Sequence, residues 1–153
     1  MLDKNILDTD VFKNKKIKIK ISKPFNNLAM DFIADFSKEL RKYKKINLYP
    51  DLIYLIFWCA KNKSKLQNYN NEKNLKLGRG LIFHICPSNV PTNFIYSFFF
   101  GLLSGNSNIV KIPSRNFKEK NIILSVIKSL FKKKKYLSIK NSNSFVQYKN
   151  STE

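Results

Sequence analysis

A chain of 153 residues provides one domain's worth of core and is short for a two-domain enzyme. With 43% hydrophobic and 14% aromatic residues it is too apolar for wholesale disorder. Its 29 Lys plus Arg against 10 Asp plus Glu give a net charge of +19, which raises the question of a polyanionic partner.

Ile17 to Ile21 alternate apolar and basic residues, the period of a half-buried strand that Pro24 would end. From Asn27 onward Leu28, Phe32, Phe36 and Leu40 recur every four residues beside Ala29 and Ile33. This predicts a helix with one apolar stripe and a basic tail, Arg41 to Lys45, at the negative end of its dipole. A second helix opens at Tyr49-Pro50-Asp51, since proline at the first helical position loses no hydrogen bond, and Leu52, Ile53, Leu55, Ile56 and Cys59 supply its buried face. Asn68 to Asn74 read as a loop.

After Gly78-Arg79-Gly80 the texture changes. Leu81 to Cys86 is a continuous apolar run between glycine and proline, as expected of a strand buried on both faces. Pro87 to Asn93 form a tight loop with a natural cap for an apolar helix, Phe94 to Ser104, which Gly105-Asn106 terminate. Ile109 to Ile112 form the next strand, stopped by Pro113. Asn116 and Glu119 have the spacing of a capping box before a helix with Ile122, Ile123, Val126, Ile127, Leu130 and Phe131 on one side, ended by Lys132 to Lys135. Phe145 to Tyr148 make a last strand.

Strand, helix, strand, helix, strand is two successive crossover units, so the class is α/β with a parallel sheet and helices on its faces. The expected architecture is an incomplete doubly wound sheet preceded by an N-terminal strand and two helices. Residues 1–76 form the N-terminal strand and helical segment, and residues 77–153 a truncated strand-helix-strand-helix-strand part of a larger domain, with a free edge at the third strand.

The most informative stretches are Gly80-Leu-Ile-Phe-His-Ile-Cys-Pro-Ser-Asn-Val-Pro, Phe100-Gly-Leu-Leu-Ser-Gly-Asn and Ile109-Val-Lys-Ile-Pro-Ser-Arg-Asn-Phe. Together they resemble the aldehyde dehydrogenase superfamily, and their wording is closest to the LuxC-type acyl-CoA reductases, the fatty-acid reductases of bacterial luminescence and their relatives. Tyr49-Pro-Asp-Leu and Phe57-Trp58 are similar to that branch too, so the resemblance spans about residues 30 to 150. It implies that residues 77–153 belong to a cofactor-binding domain of the aldehyde dehydrogenase type. The implied activity is an NADPH-dependent reduction of an acyl-CoA, or another acyl thioester, to a fatty aldehyde through a cysteine thiohemiacetal.

Residue by residue, the resemblance makes Asn89 the side-chain amide donor to the oxyanion formed when cysteine attacks the carbonyl. Losing one such donor typically costs roughly 2.7–4 kcal/mol of transition-state stabilisation. Taken alone, Asn89 can equally be a turn asparagine bonding its own backbone. Lys111 matches the lysine that binds the adenosine ribose. Ser114 stands where NAD-preferring relatives carry glutamate, and a hydroxyl there can donate to the 2′-phosphate of NADPH that a carboxylate would repel, with Arg115 adding a charge-assisted contact. The bland alternative is a strand-end lysine reaching solvent and an ordinary loop serine.

His84 and Cys86 share a strand face, and a Cys-His pair can make a thiolate, but no third group is evident to orient His84, which reads as a core or supporting histidine. The family nucleophile lies beyond residue 153, so Cys59 and Cys86 read as buried small hydrophobes and the isolated chain is expected to be inactive. The two cysteines have neither metal nor disulfide spacing, the start MLDKNILDTD lacks an apolar signal core, and the runs Leu52 to Ala60 and Phe94 to Leu103 are about half a membrane span. A cytoplasmic protein without a membrane span is expected.

Two rivals remain. One is a small basic module holding single-stranded nucleic acid on lysines interleaved with Phe and Tyr. It is disfavoured because Arg occurs only at Arg41, Arg79 and Arg115, because the lysines travel with the Asn, Ile and Phe that AT-rich codons encode, and because Phe94 to Phe100 contain no Lys. The other is one half of a split enzyme needing a second protein chain to complete the sheet.

Overall fold

The computed structural model describes residues 10–12, 16–66 and 76–148, the side chains of 61–66 excepted. Helix α1 (Asn27–Arg41) starts where the Asn26 side chain accepts from the Ala29 amide, and its periodic stripe buries Ala29, Met30, Phe32, Ile33, Phe36 and Leu40. Helix α2 (Pro50–Leu66) carries Asp51 in its first turn and buries Leu52, Leu55, Ile56 and Cys59 against α1. The expected loop Asn68 to Asn74 lies outside the described residues.

Strand β1 (Leu81–Ile85), helix α3 (Asn93–Leu103), strand β2 (Ser107–Lys111), helix α4 (Lys118–Phe131), a 3-10 turn Lys134–Tyr136, helix α5 (Leu137–Ser142) and strand β3 (Asn143–Val146) follow. The strands make a parallel sheet in the order β1-β2-β3, with Phe83 opposite Ile109 and Val110 opposite Phe145. The α/β class and the crossover pattern therefore hold. Phe32 of α1 touches Phe98 of α3 (6.1 Å between centroids) and Phe131 of α4 (5.9 Å), and Phe98 meets Phe145 of β3 at 4.9 Å. The described helices thus gather around one core on one side of the sheet, and a second helical layer, as in a doubly wound sheet, is not found among the described residues. The reason lies in strand order: a sheet that advances 1-2-3 in one direction sends both right-handed crossovers to the same face. Each fully buried Phe in this cluster contributes about 1.5–3 kcal/mol relative to exposure.

Several expectations are corrected. Ile17 to Ile21 form no strand, and Ile19 is 58% exposed. Alternate amides reach single acceptors instead of a ladder: Lys18 N–H donates to Asn141 O, Lys20 N–H to Ser107 Oγ and Ser22 N–H to Gly105 O. These bonds carry the segment across the amino ends of β2 and β3. The run Leu81 to Cys86 is not buried on both faces. Among the described residues β1 pairs only with β2, and Phe83 and Ile85 are exposed, Ile85 to 68%. The third strand, set at Phe145 to Tyr148 from sequence, is shifted to Asn143–Val146 because the unforeseen α5 feeds directly into it. Its outer edge is not free. Asp10 forms an antiparallel bridge to Val146, Val11 N–H donates to Phe145 O at 2.8 Å, and the Asp10 carboxylate accepts from the Ser144 hydroxyl and the Phe145 amide.

The caps also differ. Thr92 and Phe117 precede α3 and α4 without a side-chain cap bond, and Asn116 Oδ1 accepts instead from the Asn121 side chain. Lys132 to Lys135 do end α4, but Lys133 pairs with Glu39 at 3.1 Å and Lys135 with Asp31 at 2.9 Å, so half the run docks on α1. Among the described residues no helix is long and apolar enough to cross a membrane.

Candidate functional site

All three strands deliver residues to their carboxyl ends. A cleft of about 330 Å³ opens there, lined by Cys86 and Ser88 beyond β1, Lys111 to Ser114 at the end of β2 and Tyr148 beyond β3. Strand ends of this kind are where open parallel sheets bind ligands. Lys111 is half-buried as the last residue of β2, with its Nζ 4.4 Å from the centroid of the Tyr148 ring. Pro113 is buried and stops the strand, so the chain turns and exposes Ser114, Arg115 and Asn116.

The structure brings Lys111 and Ser114 to one cleft but leaves Arg115 out of its lining. The Arg115 guanidinium lies instead over the Phe117 ring, 5.5 Å from its centroid. Asn89 sits exposed in the turn between β1 and α3, also outside the lining, and its side chain makes no hydrogen bond to the described residues. The alternative role as a turn residue bonding its own backbone is therefore not what its amide does here.

The thiols separate clearly. Cys59 is buried on α2, and burial pushes its thiol up to about 12, far from thiolate at neutral pH. Cys86 is half-buried and lines the cleft.

His84 does have orienting groups, contrary to the sequence reading. Its Nε2 lies 2.8 Å from Asn108 Oδ1 and its Nδ1 2.9 Å from Ser97 Oγ. Asn108 Nδ2 donates to Asn106 O and to Asn143 Oδ1, which leaves Asn108 Oδ1 to accept, so His84 Nε2 carries the hydrogen and Nδ1 accepts from the Ser97 hydroxyl in the neutral ring. Asn143 Nδ2 in turn donates to Ile139 O. One polar chain thus ties α3, β1, β2, β3 and α5 together. Gly101 makes room for it, because a Cβ there would lie 2.0 Å from Asn108 Oδ1. The glycine inside an apolar helical run was the sequence signal for this buried network.

The second signal concerns Lys120, which composition hides among many lysines. It is 4% exposed, and its ammonium donates to Pro113 O at 3.2 Å and Arg115 O at 2.8 Å, directly beneath the loop that carries Ser114. Burial lowers its pKa.

Of the phenylalanines in the run Phe94 to Phe100, Phe94, Phe98 and Phe99 are fully buried and Phe100 is exposed, so the run does not display a row of aromatics of the kind the nucleic-acid reading requires. No curated protein and no solved structure matches the chain. The family described as acyl-CoA reductase (LuxC) does match it, over residues 61–153, more than half of its length, and the chain that builds this cleft belongs to that family.

Proposed function

We propose that this chain contributes a cofactor cleft and an oxyanion donor to the NADPH-dependent reduction of an acyl thioester, acyl-CoA above all, to a fatty aldehyde. The observation that supports it most is the meeting of Lys111 and Ser114 in the cleft at the strand ends. The lining fits a phosphorylated ribose: it offers an ammonium and hydroxyls and contains no carboxylate. In this reading Lys111 binds the ribose, Ser114 donates to the 2′-phosphate, and Arg115 adds positive charge from beside Phe117. NADPH, when bound, supplies the hydride. Asn89, on the neighbouring exposed turn, is the donor for the oxyanion that forms when a thiolate attacks the thioester carbonyl. Neither thiol of this chain takes the role of nucleophile, so NADPH oxidation with a long-chain acyl-CoA is expected to stay at background.

The test is binding of NADPH and NADH to the 153-residue chain, followed by nucleotide fluorescence, with Ser114→Glu beside the wild type. NADPH should bind more tightly, and the substitution should lower the NADPH:NADH affinity ratio roughly tenfold or more. Like charges about 4 Å apart repel by about 1 kcal/mol in water and about 4 at an effective dielectric of 20, against about 1.4 kcal/mol per factor of ten. A wild-type chain without preference for NADPH, or a ratio indifferent to Ser114→Glu, overturns the cofactor assignment.

A further inference from the structure

Lys120 occupies a place that works against a lysine in three ways. It lies in the first turn of α4, where the helix dipole disfavours a cation; it is almost completely buried; and it has no carboxylate partner among the described residues, only two carbonyl oxygens. Those carbonyls belong to alternate peptide units of the Pro113–Asn116 loop. In a planar trans peptide the N–H points opposite to the C=O, so turning Pro113 O and Arg115 O toward Lys120 directs the amides of Ser114 and Asn116 away from it. Neither amide finds an acceptor among the described residues. The Ser114 side chain, on the same loop, lines the cleft. A run of outward amides with a hydroxyl, backed by a buried positive charge, is an arrangement that favours an anionic group.

We infer that Lys120 is a positioning residue: by drawing the carbonyls of Pro113 and Arg115 inward it fixes the loop that presents Ser114, and so sets how strongly the cleft prefers a nucleotide with a 2′-phosphate. The inference rests on the cofactor reading above and adds the residue that controls it. It distinguishes Lys120 from Lys118, two residues away and exposed, which bonds nothing in the loop among the described residues.

The experiment compares wild type, Lys120→Met, Lys120→Arg and Lys118→Met for binding of NADPH, NADH and 2′,5′-ADP, with thermal melts to establish folding. Lys120→Met should lower the NADPH:NADH ratio about tenfold while NADH binding changes little. Lys120→Arg, which keeps a cation with two or more donors, should recover most of the ratio, and Lys118→Met should leave it unchanged. A merely structural lysine would weaken both nucleotides together, so a folded Lys120→Met with an unaltered ratio overturns the inference while leaving the cofactor reading intact. Absence of any NADPH preference in the wild type sinks the cofactor reading and this inference with it. If Lys120→Met does not fold, amide NMR of the wild type decides: 2′,5′-ADP but not 5′-ADP should shift the Ser114 and Asn116 amides, and no selective shift overturns the inference.

Discussion

The two ends of the sheet are built on opposite principles. At the amino end three backbone segments cross in van der Waals contact: Ser22 N–H donates to Gly105 O, Gly78 N–H donates to Ser22 O, and the Asn106 side-chain oxygen accepts from the Arg79 and Gly80 amides. Gly105 adopts a φ of +81° and ends α3 with paired bonds, its own amide to Leu102 O and that of Asn106 to Gly101 O, the Schellman arrangement. A Cβ on Gly105 would lie 2.1 Å from Ser22 O. At the carboxyl end the chain spreads instead into exposed loops, Pro87 to Asn89 and Ser114 to Asn116. The loops have few internal bonds, prolines set their direction, and one buried lysine holds the second of them. The difference teaches that neighbouring motifs are placed differently: Gly105-Asn106 fasten the fold, whereas Lys111 and Ser114 line an open cleft.

Substitutions at the two ends should therefore separate stability from binding. Gly105→Ala carries the largest expected effect. A left-handed φ disfavours any Cβ by about 1–2 kcal/mol, and overpacking adds about 1–3, for a loss of roughly 3 kcal/mol. At about 2–4 °C per kcal/mol for a chain of this size, the melting temperature should fall by roughly 10 °C. A Gly105→Ala protein melting within about 2 °C of wild type would mean the crossing is loose and the comparison is broken.

His84→Leu comes next. It keeps a strand-compatible apolar residue but leaves the buried Asn108 Oδ1 and the Ser97 hydroxyl without their ring partner, which costs about 1–3 kcal/mol, read as a lower urea midpoint at unchanged slope. The loss should be largely absent in Asn108→Leu/His84→Leu relative to Asn108→Leu alone, because both ends of the bond are then gone.

Tyr136→Phe probes the helical layer, away from both ends. Tyr136 Oη donates to Asp35 Oδ2 at 2.7 Å, and this bond, with help from Lys133, Lys38 and Lys135, holds the Asp35 carboxyl below its ordinary value of 3.8. A depressed folded-state pKa contributes stability that is fully present above the unfolded value and is lost as pH falls through the lower folded one. Tyr136→Phe should thus cost about 1 kcal/mol at pH 7, and the gap to wild type should close as pH drops below about 4. A gap that persists unchanged at the lowest pH would trace the loss to packing instead. Smallest of all, Ser114→Glu, the substitution proposed to shift nucleotide preference, should move stability by no more than about 0.5 kcal/mol, since Ser114 is exposed.

Legibility differed between elements for physical reasons. The stripe Phe32, Phe36, Leu40 and the apolar run Phe94 to Leu103 announced α1 and α3 because burial of one helical face repeats with the helix's own period. The family match begins at residue 61, after Tyr49 to Trp58, so that early part of the resemblance lies outside it. The alternation Ile17 to Ile21 reads as a strand that does not form, because nothing local says whether alternate amides meet a ladder or three separate acceptors.

By itself, then, the sequence determined the α/β class, the three strands of the sheet with the helices α3 and α4 between them, and the acyl-CoA reductase kinship, because periodicity and short motifs are written over neighbouring residues. Only the tertiary structure decided that Asp10 closes the edge of β3, that His84 joins Asn108 and Ser97, and that Lys120 alone among its neighbouring lysines turns inward. These are contacts between residues 5 to 136 positions apart, chosen by which partner meets a buried polar atom, and a buried polar atom must find one.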